Sequence, residues 1–255
     1  MAINKNSTGY TFVFSIIMVV IVGTSLAYTS LSLKPLQKAN AADKKMVDIL
    51  AAIKVQSSRE TAEADFQDYV KERIVIKYSG VAPDSLRRMG EIKSSDKGDA
   101  FNIDVKKLYR ANKPEKGDVT WSNAENLSFP LFICEKEGDT TLYVLPVFGS
   151  GLWGPIWGYV ALEKDYKTIY GVKFDHKTET PGLGAEIRED FFSVKFKGKT
   201  LQDVAPYFKV HKGGAKTDEH SVDGITGGTI TSKGVEEMMN RTLDIYNKFF
   251  ESEAK

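Results

Sequence analysis

Apolar positions change their spacing along the chain, and the changes divide it into three regimes. Tyr10 to Leu33 contains no charged residue, and Phe12 to Val22 is almost continuously apolar. Roughly 20 residues at about 1.5 Å each cross a ~30 Å hydrocarbon core, so this run predicts one transmembrane helix. A cleaved signal peptide would have a shorter apolar stretch with more basic residues before it, and an uncleaved anchor fits better. Leu36, Met46, Ile49, Leu50 and Ile53 then keep helical spacing, interrupted near Asn40-Ala41-Ala42. Ser57 and Glu60 form a capping-box signature that opens a second expected helix through Phe66, Tyr69, Val70 and Ile74. These two helices read as a stalk between the membrane and a domain.

Residues 80–98 are polar and include Ser94-Ser95-Asp96-Lys97-Gly98, the pattern of a loop or domain boundary. Beyond them come short runs rich in β-branched and aromatic residues: Phe101–Val105, Leu131–Cys134, Thr140–Val147, Ile156–Leu162, Thr168–Phe174 and Tyr207–Val210. Turn residues at Gly138-Asp139 and Lys164-Asp165 separate some of them, and short turns imply antiparallel pairing. Helical spacing returns at Val235, Met238, Met239, Thr242, Leu243, Tyr246, Phe249 and Phe250, one apolar stripe on a helix of about four to five turns. The expected fold class is α+β: a single N-terminal transmembrane helix, a helical stalk and an antiparallel-sheet domain, partitioned 1–34, 35–98 and 99–255. No internal repeat is visible.

Composition removes several function classes. The 255 residues leave about 220 after the anchor, enough for one sizeable domain or a domain with a stalk. A net charge of +1 gives no basis for a nucleic-acid partner. Cys134, the single cysteine, cannot form an internal disulfide or hold an iron–sulfur cluster, and its expected role is packing. With no cysteine after the apolar run, a lipoprotein anchor is excluded. His176, His211 and His220 show no metal-ligand spacing, so no metal site is expected. The apolar run lacks the ionisable residues that mark ion pathways through bilayers; it anchors rather than conducts. No dinucleotide fingerprint is present, so NADH is not placed here. Lys5 precedes the run, and Lys34, Lys38, Lys44 and Lys45 follow it. By the positive-inside rule alone, the globular part would stay inside the cell.

Three loops carry candidate chemistry. Residues 223–232 read Asp-Gly-Ile-Thr-Gly-Gly-Thr-Ile-Thr-Ser. Gly227 and Gly228 remove side chains that would crowd the backbone, leaving the Thr229 hydroxyl clear of its neighbours, and Thr231 or Ser232 is an expected N-cap of the following helix. A phosphate on Thr229 would lie just ahead of that helix N-terminus, where free N–H groups and the dipole favour an anion. A strand ending in a Gly-Gly turn before a capped helix explains the same residues without a ligand. Residues 149–159 combine a glycine-rich loop with Trp153 and Trp157: aromatic walls for a planar ring, or a turn flanked by core tryptophans. In residues 176–185, Pro181 fixes a turn position while Gly182 and Gly184 permit unusual backbone angles. Peptide groups could then face a planar ligand, with Glu179 and Thr180 available for side-chain bonds.

Taken together, these segments resemble the FMN-binding domain family. The resemblance makes Thr229 the carrier of FMN through a phosphoester, Asp223 the acidic residue of the attachment motif, and Thr226, Gly227 and Gly228 its core, with Gly228 standing where the family usually has Ala. It makes Trp153 a flavin contact and Trp157 a core residue, and it places Glu179, Thr180, Gly182, Leu183 and Gly184 in a flavin-binding loop. With the anchor in place, the whole resembles the C subunits of bacterial sodium-translocating NADH:quinone reductases. The related G subunits of ferredoxin-linked (Rnf-type) complexes share the anchor and the attachment motif, but the Gly-Leu-Trp-Gly-Pro-Ile-Trp-Gly-Tyr loop and the polar insertion before it favour the former. The resemblance implies a covalent FMN that relays electrons toward quinone, other subunits of a membrane respiratory complex as partners, and a separate flavin transferase for maturation. It further implies single-pass insertion in the bacterial inner membrane through residues 11–33, with the domain on the extracytoplasmic (periplasmic) side, Na⁺ export elsewhere, and no catalytic residue apart from the cofactor site. A membrane-anchored module holding FMN non-covalently and a purely structural protein are the alternatives from other classes.

Overall fold

The computed structural model describes residues 7–77, 87–93, 95–112, 127–136, 138 and 140–253. Part of the expected polar boundary at 80–98, including Ser94, lies outside the described residues, as does Asp139 of one expected turn. The chain divides into two compact units, 1–45 and 46–255.

The first unit is formed by helix α1, Thr8–Ala52, whose last residues belong to the second unit. It contains an 18-residue window of mean hydropathy 2.2, long and apolar enough to cross a membrane. Its large apolar side chains from Phe12 to Leu36 are exposed, as a lipid-facing helix requires. Thr24 and Thr29 donate their hydroxyls to the carbonyls of Val20 (2.6 Å) and Ser25 (2.8 Å), which satisfies them within the helix. The helix continues unbroken through Pro35 and across Asn40-Ala41-Ala42. The expected interruption there does not occur, because Ala41 and Ala42 are strong helix formers.

In the second unit the end of α1 is buried at Met46, Ile49, Leu50 and Ala52. Lys136 Nζ donates to the carbonyls of Ile53 (3.2 Å) and Lys54 (3.4 Å), a cation at the negative end of a helix. The next helix, α2, spans Ala62–Tyr69 with Thr61 at its N-cap. The expected Ser57–Glu60 capping box does not form; Ser57 Oγ instead bonds the Ser58 carbonyl at 3.2 Å. Nor does α2 run on through Ile74: Val70–Lys77 is strand β1. Val70, Ile74, Val75 and Ile76 favour a pleated surface, and Ile74 and Ile76 stand opposite Leu131 and Phe129 of the neighbouring strand.

Strands β2 (Arg87–Arg88), β3 (Ser128–Lys136), β4 (Thr140–Ser150), β5 (Pro155–Leu162) and β6 (Ile169–His176) complete a six-stranded sheet in the order β2-β1-β3-β4-β5-β6. Every pairing in it is antiparallel. A strand from 70–77 therefore lies inside the sheet, ahead of the expected boundary at 99. One sheet face presents Leu131, Leu145, Val147, Val160, Val172 and Phe174 to the main core. The other presents Phe132, Cys134, Leu142 and Val144, all buried, with Phe66 edge-on to Phe132 (6.3 Å) and Phe101 (5.5 Å). Burial on both faces gives near-continuous apolar strands.

The expected strand Phe101–Val105 is absent. Ala100–Asn102 is a 3₁₀ turn, and helix α3 begins at Val105 and runs to Ala111. Asp99 and Asp104 accept from the N–H groups of Phe101 (2.8 Å) and Lys107 (3.0 Å), and such Asp caps start helical turns. After β6 come a 3₁₀ turn at Gly184–Arg188, the short helix α4 (Asp190–Ser193) and another 3₁₀ turn at Val194–Phe196. Strands β7 (Lys209–His211) and β8 (Ser221–Asp223) form a separate, parallel pair, against the expectation of antiparallel pairing. Tyr207 and Phe208 lie outside it.

Helix α5, Thr229–Glu253, is longer than the predicted four to five turns. All eight residues of its predicted stripe are buried. At two glycines it comes close to β4: a Cβ on Gly149 would fall 2.7 Å from the Met238 Cβ, and one on Gly234 would overlap the Ser150 carbonyl. Tyr246 Oη donates to the Pro130 carbonyl at 2.5 Å. Asn240 donates to the Phe208 carbonyl (2.7 Å) and accepts from the Phe208 N–H (3.1 Å), while Glu236 accepts from the Val210 N–H at 2.6 Å.

Candidate functional site

The turn that leads into α5 is built from glycine and hydroxyl residues. Gly227 has φ +79°, the left-handed region that favours glycine, and its Cα faces Leu183 Cδ2 across the turn. Gly228 N–H closes the turn on the Ile225 carbonyl at 2.9 Å. Thr229 is the first helical residue. Its hydroxyl thus belongs to the first turn itself, rather than standing ahead of it. Thr231 and Ser232, expected as N-caps, are inside the helix and buried. Ser232 Oγ accepts from the Ile225 N–H (2.9 Å), and the Thr231 hydroxyl donates to Glu179 Oε2 (2.5 Å).

Two further loops approach this turn. Between β4 and β5, Gly151 N–H bonds the Gly154 carbonyl at 2.8 Å, a tight loop that leaves Leu152 and Trp153 50% and 67% exposed. Trp157 stacks on Phe148 at 6.4 Å and packs against the core. After β6, the Thr180 carbonyl accepts from both Leu183 and Ala185 N–H at 3.1 Å. Gly182, at φ +76°, donates its N–H to Glu186 Oε1 at 2.8 Å.

The three loops enclose a cleft of about 230 Å³ lined by Leu152, Trp153, Glu179, Thr180, Leu183, Gly184, Gly227, Gly228, Thr229, Ile230 and Thr231. Eight of the predicted site residues meet there. Asp223, Thr226 and Gly182 do not line it. Asp223 accepts from the Ala215 N–H (3.1 Å) and sits 3.8 Å from Lys195 Nζ; Thr226 is exposed beside Gly213; Gly182 shapes its loop. Leu152, Ile230 and Thr231 line the cleft although the sequence pattern does not single them out as ligand contacts. Ile230 carries a signal, being an apolar residue at the helix start that falls outside the core stripe. Leu152 lies within the glycine-rich loop beside Trp153.

The lining suits a flavin nucleotide on its chemistry. Leu152, Trp153, Leu183 and Ile230 are large, apolar and substantially exposed around one opening, surface that a flat aromatic ring would cover. At the floor, a Cβ on Gly228 would come 3.3 Å from Gly184 N, so the glycines keep the backbone open. The first N–H groups of a helix lack intrahelical partners, and with the dipole they favour a phosphate beside Thr229.

Residues 151–244 match the FMN-binding domain family. The C subunit of the Na(+)-translocating NADH-quinone reductase from Vibrio vulnificus is 31% identical over 236 residues, covering 91% of this chain and 88% of that protein. Its counterpart from Haemophilus ducreyi is 28% identical with the same coverage. Among solved structures, the C subunit from Parabacteroides distasonis is similar with a TM-score of 0.67 at 36% identity, covering 85% of this chain and 96% of that one. NqrC from Shewanella oneidensis is similar with a TM-score of 0.63 at 25% identity, covering 85% and 100%. The chain therefore belongs to the family of Na(+)-translocating NADH-quinone reductase C subunits, as a flavoprotein component of an oxidoreductase complex with an FMN-binding domain.

Proposed function

We propose that the chain relays electrons within its complex through FMN joined to Thr229 by a phosphoester. The observation that carries this reading is the convergence of Thr229, the Gly227-Gly228 turn and the apolar walls of Leu152, Trp153, Leu183 and Ile230 in one cleft. Bound there, FMN supplies one- and two-electron redox chemistry while the protein supplies position and electrostatics. Thr229 Oγ is the tether, the first-turn N–H groups of α5 hold the phosphate, and the apolar walls cover the ring and keep water from it. Maturation falls to a flavin transferase using FAD: Thr229 Oγ forms the new bond to the FMN phosphorus, the phosphoanhydride breaks, and AMP leaves as the hydroxyl proton is lost.

Residues 11–33 anchor the protein in the bacterial inner membrane, supported by the length and hydropathy of α1. The domain faces the extracytoplasmic side, where large domains can be carried despite flanking lysines. Other subunits of the complex are its electron-transfer partners.

The test is denaturing electrophoresis viewed under ultraviolet light, after expression with the transferase. The protein band fluoresces in the wild type and in Thr231→Ala and goes dark in Thr229→Ala. A fluorescent Thr229→Ala band would overturn the assignment.

A further inference from the structure

Glu179 sits between two walls of the cleft and is 5% exposed. Its carboxylate is engaged from both sides. Oε1 accepts from the Trp153 N–H at 2.8 Å, and Oε2 accepts from the Thr231 hydroxyl at 2.5 Å. Its own N–H donates to His176 Nδ1 at 3.2 Å, which fixes where the side chain starts. Two glycines make room for it: a Cβ on Gly151 would lie 2.6 Å from Oε1, and one on Gly184 would overlap both Oε2 and the Thr231 hydroxyl. Thr231 is itself 1% exposed. The carboxylate thus crosses a gap that three separate segments leave open for it.

What it joins matters more than that it is buried. On one side is the loop that holds Trp153, the largest exposed apolar side chain of the cleft. On the other is the first turn of α5, in which Thr229 lies two residues before Thr231. A second side-chain bond to Trp153, from Thr178 Oγ1 to its carbonyl at 3.0 Å, comes from the residue next to Glu179. These two ties to Trp153 trace to one short segment.

We infer that Glu179 is a positioning residue that fixes the Trp153 wall against the first turn of α5. This rests on the reading that FMN is tethered at Thr229. A ligand held at one end by a phosphoester retains rotation about its linker bonds, and only walls in fixed relation to the tether remove it. Glu179 supplies that relation through Trp153 and Thr231, so its loss frees the ring without releasing it.

The test uses the full chain matured with its transferase, as wild type, Glu179→Ala, Glu179→Gln, Thr231→Val and Thr231→Ser. Hydrogen exchange of residues 150–154 reads the link whether or not flavin is present. It accelerates about tenfold in Glu179→Ala, the effect of losing one hydrogen bond. Fluorescence anisotropy of the attached flavin falls in Glu179→Ala and Thr231→Val, with the fluorescent gel band unchanged. Thr231→Ser keeps the hydroxyl, and Glu179→Gln keeps an acceptor for Trp153 and offers a donor to Thr231, so both hold the wild-type anisotropy. Wild-type anisotropy in Glu179→Ala and Thr231→Val, with flavin attached, would sink the inference. Should Glu179→Ala fail to fold, the Thr231→Val and Thr231→Ser pair decides. A dark wild-type band would instead sink the tether reading, and the two failures are told apart by that band.

Discussion

Arg73 carries its charge in the interior at 1% exposure, opposite Asp99 at 2%. Its Nε lies 3.0 and 3.1 Å from the two Asp99 oxygens, Nη2 lies 2.8 Å from Oδ2, and Nη1 donates to the Gly90 carbonyl at 2.8 Å. Removing one partner strands the other in the core, a loss of about 3–5 kcal/mol. Denaturant unfolding should show that loss in Asp99→Ala and a much smaller one when Arg73→Met is combined with Asp99→Leu. Nothing in the sequence pairs residues 73 and 99, because a buried ion pair depends on strand pairing that brings distant segments together. The same limit applies to Glu179: its motif points to the cleft, yet the inward direction of its carboxylate depends on Thr231, 52 positions away. Thr229, Trp153 and Leu183, which the resemblance to the FMN-binding domain family marks, do line one cleft. Asp223 and Thr226 belong to the same run of residues but turn away from the cleft, since the turn at Gly227 separates them from the helix.

At the scale of elements, α5 is the most legible, because a 3.6-residue stripe needs only one partner surface to be read. Its start falls earlier than the capping chemistry of Thr231 and Ser232 implies, since both hydroxyls are used for tertiary bonds instead. Strand β1 reads locally as a continuation of α2 because Phe66, Val70 and Ile74 happen to keep a four-residue spacing. Pairing with β3, which the local pattern does not contain, decides the matter. The parallel pair β7 and β8 has three residues in each strand, too few for a period to be counted. The contact between α5 and β4 gives a direct prediction. Gly149→Ala places a methyl group against Met238, and such overpacking destabilises by about 1–3 kcal/mol. A lower melting temperature measured by circular dichroism should report it, with no loss of the fluorescent flavin band at low temperature.

Over the whole molecule, the exposed apolar surface is concentrated in one helix, while the second unit closes around a core buried on both sheet faces. A chain of 46–255 should therefore remain soluble without detergent and melt cooperatively, whereas the full chain should require detergent; size-exclusion chromatography with and without it makes the comparison. The α+β class and the antiparallel sheet are legible in the pattern of apolar positions, and the long apolar helix near the N-terminus is legible from composition alone. The boundary between units is less so: the apolar spacing is interrupted near Asn40-Ala41-Ala42, yet α1 runs through the division at 45 and 46 without a break. At Gly149 and Gly234, the strand leading to Trp153 and the helix starting at Thr229 meet nearly backbone to backbone. The strand and the helix behind the cleft therefore cannot part without opening the core, so the scaffold on which the tether and the Trp153 loop stand should be lost only in the cooperative event that ends the fold.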